Sequence, residues 1–422
     1  MINEGSLARF APLGGGLLKP IYADYSFANI ANTIEHLLTG APRAPLLPPD
    51  CFGGIYPRPR KIVTFFIDAF GWAFWKAHGG RFRTTRTVIE SGVLTPISAL
   101  FPSTTAASVS TLNLGVPPSA HALYEWNIYI PAYGETIQSL AFSPLGRHGQ
   151  DTCLQKGYDP GKMLEVHETV HRRLARHGVR SVQFSGRSYA GSAYNTVASA
   201  GAEVIKHGML SEALVQLKDM LQQNQDKAWL GFYWASIDTI AHIHGPGTPF
   251  HAAEIASFWS TFDAVFRDVD SPDTLYLFFA DHGQVRVDVK ETIYLNKRFP
   301  EIADCLAVSP TGNPIYPNGA PRDVFLHVKP ERRNDVMATL QRGLDGMALV
   351  MPMDAALAEG LFGPGPISSE LRRRLGDILI LPFESHFIWW QERGVMGNAF
   401  NGHHGGLAPD ELISAFGVIG SL

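Results

Sequence analysis

A chain of 422 residues, 45% hydrophobic and 18% charged, has the material for a large buried core and exceeds the size at which one core stops growing, so one main domain with an insertion is expected. The net charge of -4 leaves no basic surface on which a polymeric nucleic acid would rest. Cys51, Cys153 and Cys305 lie far apart without metal-ligand spacing, no basic region precedes an apolar run at the N-terminus, and no uninterrupted apolar stretch of about 18 residues occurs, so a soluble cytoplasmic protein with no membrane partner is expected.

Residues 1–60 hold Pro20, Pro42, Pro45, Pro48, Pro49, Pro57 and Pro59 around one helical patch near Ile30 to Leu38, and read as an N-terminal arm packed on the core. The run Ile62-Val-Thr-Phe-Phe-Ile-Asp68 follows. Apolar and β-branched residues ending in a lone carboxylate predict a buried parallel strand that brings Asp68 to the carboxyl edge of a sheet, where open α/β folds hold ligands. Gly71 to His78 has helical spacing, ended by Gly79-Gly80. Leu94 to Thr105 is an extended piece held out of helix by Pro102, and Thr105 to Leu114 suits a short helix closed by Gly115. A hydroxyl at that N-terminus sits beside unpaired N–H groups and the positive end of the helix dipole, which favours an alkoxide and a bound phosphate. Ser103, Thr104 and Thr105 are the candidates, each with the alternative of serving only as an N-cap.

Residues 160 to 280 alternate in the α/β manner: helix at about 162–177, strand 180–184, helix at about 208–223, strand 228–234, helix at about 250–268, strand 274–280. Two of these strands lead into metal-ligand residues. One gives Asp238 with His242 four positions later, a pair that meets one ion if the turn is helical. The other gives Asp281-His282-Gly283, a polar pair that is costly to bury after an apolar strand unless it is paired or coordinated. His244 and His251 read as surface-loop histidines beside Asp238, and His121 as a structural residue at a turn.

Residues 285–375 predict a small α+β insertion that caps the site, with strands near 323–329 and 347–351 and helices near 330–344 and 354–361. Gly376 to Leu381 is expected to return to the main sheet, so the catalytic domain comprises 61–284 and 376–422. In Gly402-His403-His404-Gly405-Gly406-Leu407, glycines allow close approach to a ligand, and one of the two histidines is a ligand candidate. Trp72, Trp75, Trp389 and Trp390 read as core or lid packing, since no basic groove accompanies them.

Asp68, Phe101-Pro-Ser-Thr-Thr105, Asp238-x-x-x-His242, Asp281-His282-Gly283 and His404-Gly-Gly-Leu-x-Pro-x-Glu411 together resemble the alkaline phosphatase superfamily, and within it the type I phosphodiesterase/nucleotide pyrophosphatase family, from about residue 60 onward. The resemblance implies a three-layer α/β/α sandwich around a mostly parallel sheet. It also implies two divalent ions, zinc or alternatively manganese, with Asp68, Asp281 and His282 holding one and Asp238, His242 and His404 the other. Thr105 is the implied nucleophile, with Thr104 as the substitute, and Asn127 the implied phosphate-oxygen ligand, although it stands one residue late. Leu114 and Ala122 replace a threonine and a glycine of the family pattern, marking a divergent member. The implied activity is hydrolysis of phosphodiester or phosphoanhydride bonds in small molecules such as nucleotides, through a phosphothreonine. A phosphomonoesterase and a non-catalytic metal-binding relative are the rivals, whereas a sulfatase lacks its Cys/Ser-x-Pro-x-Arg context here.

Overall fold

The Lys61–Ile67 strand is buried at all seven positions, as a central strand covered on both faces must be. In the computed structural model, which describes residues 1–420 apart from 148, 167, 224, 225, 268, 270, 272 and 398, it pairs in parallel with Ala228–Trp234 on one side and Thr274–Phe279 on the other. Arg180–Gly186 and Glu203–His207 extend the parallel run beyond Ala228–Trp234. Ile413–Ile419 enters antiparallel beside Thr274–Phe279 and carries Val93–Ser98 at the edge, which completes seven strands.

Alternation along the central strand sorts the two faces. Val63, Phe65 and Ile67 pack with Phe258, Trp259 and Phe262 of the Pro249–Val265 helix. Ile62 and Phe66 face the other way, onto Phe27, Ile30 and Ile34 at the start of Ile30–Thr39, and onto Leu112 of Thr105–Leu114. Helices on both faces of a mostly parallel sheet make the expected three-layer α/β fold. Residues 1–60 supply one of the covering helices, since Ile30–Thr39 buries eight of its residues.

A second seven-stranded sheet is antiparallel, in the order Ala348–Pro352, Ile378–Pro382, Asp323–Leu326, Asn318–Ala320, Asn127–Ile130, Glu135–Gln138, Ser143–Pro144. The return of Gly376–Leu381 to the main sheet is therefore corrected: Ile378–Pro382 pairs with Asp323–Leu326 and Ala348–Pro352. An all-apolar, fully buried strand fits the interior of either sheet, and only its neighbours decide. The helix expected over about 162–177 is confined to Val170–Arg176, where the Thr169 side chain caps Arg172 N–H. No helix among the described residues is long and apolar enough to cross a membrane.

The core contains neutral histidines whose burial matters for acid stability. Burial pushes His121 and His171 down to about 3 and His251 and His327 to about 4. Below pH 6.5 the unfolded chain takes up protons that the folded chain refuses, so stability falls as pH drops toward those values, by about 1.4 kcal/mol per pH unit for each histidine. His171 stacks on Trp229 and its Nε2 lies 2.7 Å from Asn113 Oδ1, a bond that glutamine can also donate. In urea unfolding between pH 6 and 4.5, His171→Gln is expected to show a slope shallower than wild type by about one such increment. Parallel slopes would refute the assignment.

Candidate active site

The three adjacent central strands end at the same edge, and each delivers part of one cluster. Lys61–Ile67 leads into Asp68, Thr274–Phe279 into Asp281 and His282, and Ala228–Trp234 into the Ser236–His244 helix with Asp238 and His242 one turn apart. His404 comes from the loop before Ile413–Ile419. The turn after Asp68 puts Ala69 at φ 60, and its N–H donates to Asp281 Oδ1 at 3.3 Å. A non-glycine residue held in that region marks a place where the surroundings override local preference. Gly283 must be glycine, because a Cβ there would stand 2.1 Å from the Asp410 carbonyl oxygen.

Ligand atoms of Asp238, His242 and His404 lie within 4.8 Å of one another, and those of Asp68, Asp238 and His282 do likewise. His404, not His403, is the member of this cluster. Asp281 completes it, with Oδ2 3.2 Å from His282 Nε2, while Asp68 Oδ1 is 3.6 Å from the same nitrogen. Asp238 thus lies beside both groups of ligands. Each histidine has its Nδ1–H on a backbone carbonyl: His242 on Gly402 at 2.8 Å, His282 on Gly283 at 3.0 Å, His404 on Ser103 at 2.8 Å. Those bonds leave every Nε2 lone pair directed at the carboxylates.

The cluster suits divalent cations. Burial, and then the Asp281 and Asp238 carboxylates, push Asp68 well above the usual carboxylate range. Burial raises Asp238 and Asp281 as well, and lowers His282 and His404. Asp281 Oδ2 is buried with no hydrogen-bond partner. Three buried carboxylates facing three fixed imidazoles are stable together when positive charge lies between them.

Thr105 is the first residue of the Thr105–Leu114 helix, and its hydroxyl stands 3.3 Å from Asp68 Oδ2 and 3.4 Å from His282 Nε2. Thr104 is the N-cap: its hydroxyl accepts Ala107 N–H at 3.3 Å and donates to Tyr124 O at 3.1 Å. Ser103 Oγ donates to Gly406 O. Of the three candidate hydroxyls, only that of Thr105 faces the cluster. Asn127 lines the same cavity, with its amide donating to Gly319 O at 3.0 Å and its Oδ1 buried without a partner.

His251 is corrected: it is buried inside the Pro249–Val265 helix against Phe74. His121 is the expected structural residue, joined to Thr111 and to Leu123 N–H. Trp72, Trp75, Trp389 and Trp390 are all buried in hydrophobic clusters.

Among the residues around the site, Tyr233, Gln284 and Arg322 carry no signal in the sequence alone. Tyr233, at the end of its strand, donates its hydroxyl to Asp68 Oδ2. Gln284 Nε2 donates to Asp238 Oδ1 at 2.5 Å. Arg322 and Glu411 form a fully buried ion pair beneath the His404 loop. Because Tyr233 orients one carboxylate, Tyr233→Phe is expected to weaken metal binding or kcat/KM by about tenfold, with the fold intact by circular dichroism. An unchanged metal affinity and rate would show that Asp68 needs no such support.

A family model described as type I phosphodiesterase / nucleotide pyrophosphatase matches residues 62–407. Comparison with curated proteins by sequence gives no match. Among solved structures, murine ectonucleotide pyrophosphatase / phosphodiesterase 5 aligns with a TM-score of 0.62 at 14% identity, over 85% of this chain and 87% of that one. An inactive threonine-to-alanine variant of it in complex with AMP aligns at 0.60, with 13% identity over 85% and 87%. Phosphonoacetate hydrolase from Sinorhizobium meliloti 1021, in complex with phosphonoacetate, aligns at 0.59, with 16% identity over 87% and 92%. At these identities the likenesses establish the fold.

Proposed function

The chain belongs to the type I phosphodiesterase / nucleotide pyrophosphatase family, and on that premise we propose that it is a metal-dependent hydrolase of phosphodiester or phosphoanhydride bonds in small molecules, with Thr105 as its nucleophile. The observation that carries this reading is the Thr105 hydroxyl at a helix N-terminus, 3.3 Å from Asp68 and beside six convergent Asp and His side chains.

Asp68, Asp281 and His282 would hold one divalent ion, and Asp238, His242 and His404 a second. Bound there, zinc or manganese supplies a Lewis acid that lowers the hydroxyl pKa and neutralises phosphoryl oxygens. The chain's own residues do the rest. The Thr105 proton points at Asp68, which leaves the oxygen lone pairs toward the cavity. The first N–H groups of the helix face an incoming phosphoryl oxygen. Attack by Thr105 Oγ on phosphorus forms the P–O bond of a phosphothreonine that keeps one substituent and expels the other ester or anhydride oxygen. Water then cleaves the Thr105 O–P bond, releasing the remaining phosphomonoester and restoring the hydroxyl. The relative bound to AMP, inactive as a threonine-to-alanine variant, supports both a threonine in this role and a nucleotide-like ligand. Asn127 has a free Oδ1 that is an acceptor, so its part in phosphate binding requires its amide to give up Gly319 O or to use its second hydrogen.

Bis-p-nitrophenyl phosphate and p-nitrophenyl phosphate, offered to zinc- and manganese-loaded protein, test the reading. Faster hydrolysis of the diester, with about two ions bound per chain by elemental analysis, is expected. Faster monoester hydrolysis would move the protein to the phosphatase reading, and failure to bind metal would remove both.

A further inference from the structure

The cavity in front of Thr105, about 780 Å³ in volume, divides by chemistry. One end is the Asp and His cluster. Much of the remaining wall is aliphatic and aromatic: Val109 and Leu112 from the nucleophile's own helix, Leu140 and Leu145 beside the second sheet, and Trp389 and Phe400 from the segment before the His404 loop. The polar groups along it include uncharged amides and hydroxyls such as Gln183, Ser185 and Asn195. Among the described residues that line it there is no lysine or arginine. Its acidic side chains are Asp68, Asp238 and Glu125, and burial pushes Glu125 up to about 8, which keeps it neutral at pH 7.

An anionic group beyond the phosphoryl centre would leave water for a largely apolar wall with no cation to meet it, and the neutral amides and hydroxyls there supply no opposite charge to offset the cost. An apolar group of the same size gains by the same move. Resting on the hydrolase reading above, we propose that the substrate is a phosphodiester with a single anionic phosphoryl group, whose cavity-bound substituent is uncharged and mostly apolar. A substituent carrying a carboxylate or a further phosphate is disfavoured in that position.

Three p-nitrophenyl phosphodiesters that differ only in the second substituent test this: methyl, hexyl and 5-carboxypentyl. Each buried methylene is worth about fourfold in affinity, so burial of two of the added methylenes already gives more than tenfold. With the metal-loaded wild-type protein, kcat/KM for the hexyl ester is expected to exceed the methyl ester at least tenfold, and the carboxypentyl ester to fall at least tenfold below the hexyl. Binding of the same esters to Thr105→Ala by calorimetry is expected to follow the same order. Equal affinities for hexyl and methyl, or a carboxypentyl ester bound as well as the hexyl, would overturn the proposal. If the wild-type protein turns over none of them while the hexyl ester binds best, the hydrolase reading fails and the apolar cavity stands. Leu140→Lys places a cation on the wall at a half-buried position, and is expected to raise the carboxypentyl-to-hexyl ratio at least threefold; an unchanged ratio would count against Leu140 lining the bound substituent.

Discussion

Thr105→Ala is expected to lower kcat by about 10⁴-fold or more while leaving metal content and melting temperature close to wild type. The separation is possible because the proposed nucleophile and the helix cap are different threonines. Thr104 has extended backbone angles, with φ -131 and ψ 150, and its hydroxyl holds Ala107 N–H, so the helix start survives the loss of the Thr105 hydroxyl. Alanine is also a better helix former than threonine in the first turn. Thr104→Ala is expected to behave in the opposite sense, costing about 1 kcal/mol of stability with only a small loss of rate. Thr105→Ser should retain part of the activity, since it keeps an oxygen on Cβ. Acid quenching during turnover of a substrate labelled at phosphorus should trap the labelled phosphoryl group, with its remaining substituent, on the wild-type chain and none on Thr105→Ala. If Thr104→Ala were the inactive protein, or if label remained on Thr105→Ala, the nucleophile would have to be reassigned.

The reach of the sequence can be traced residue by residue. Asp68, Asp238, Asp281 and His282 were legible because each follows an apolar run, and in a parallel sheet such runs end at one edge. Their spacing in the chain gives no hint that the three strands are neighbours, which follows only from the pairing of Lys61–Ile67 with both others. The hairpin of Asn127–Ile130 with Glu135–Gln138 went unread, although Ile128, Ile130 and Ile137 point inward; four-residue alternation is too short to stand out from loop sequence. His251 falls within the helix expected at about 250–268, and its place on the buried face of that helix, against Phe74, follows only from the packing. Tyr233 and Gln284 act on carboxylates that are remote in sequence, and a lone tyrosine or glutamine has many ordinary explanations. Glu411 stands in the sequence as the end of the His404-Gly-Gly-Leu-x-Pro-x-Glu411 motif, but Arg322, 89 positions away, would pass for a surface charge until burial shows that the two must meet.

That buried pair yields the second large effect, and it joins stability to the site. Glu411 Oε1 accepts from Arg322 Nε at 3.0 Å and from Gly406 N–H at 3.1 Å. Its Oε2 accepts from Arg322 Nη2 at 2.8 Å and from Ala408 N–H at 3.3 Å. Removing one partner strands a buried charge, so Glu411→Gln and Arg322→Met are each expected to cost about 3–5 kcal/mol in denaturant unfolding. Replacing both by apolar side chains removes the stranded charge, and Arg322→Met with Glu411→Leu should recover most of that loss. The double variant still lacks the two acceptors that tie down the Gly406 and Ala408 amides. His404 sits on the same loop, held by Ser103, whose carbonyl takes its Nδ1–H and whose hydroxyl bonds Gly406 O and Gly405 N–H, and by stacking on His282. Metal affinity in the double variant is therefore expected to stay at least about tenfold below wild type even where stability returns. Recovery of both together would mean that the Ser103 and His282 contacts suffice to position His404, and that the Arg322 and Glu411 pair serves the fold without serving the site.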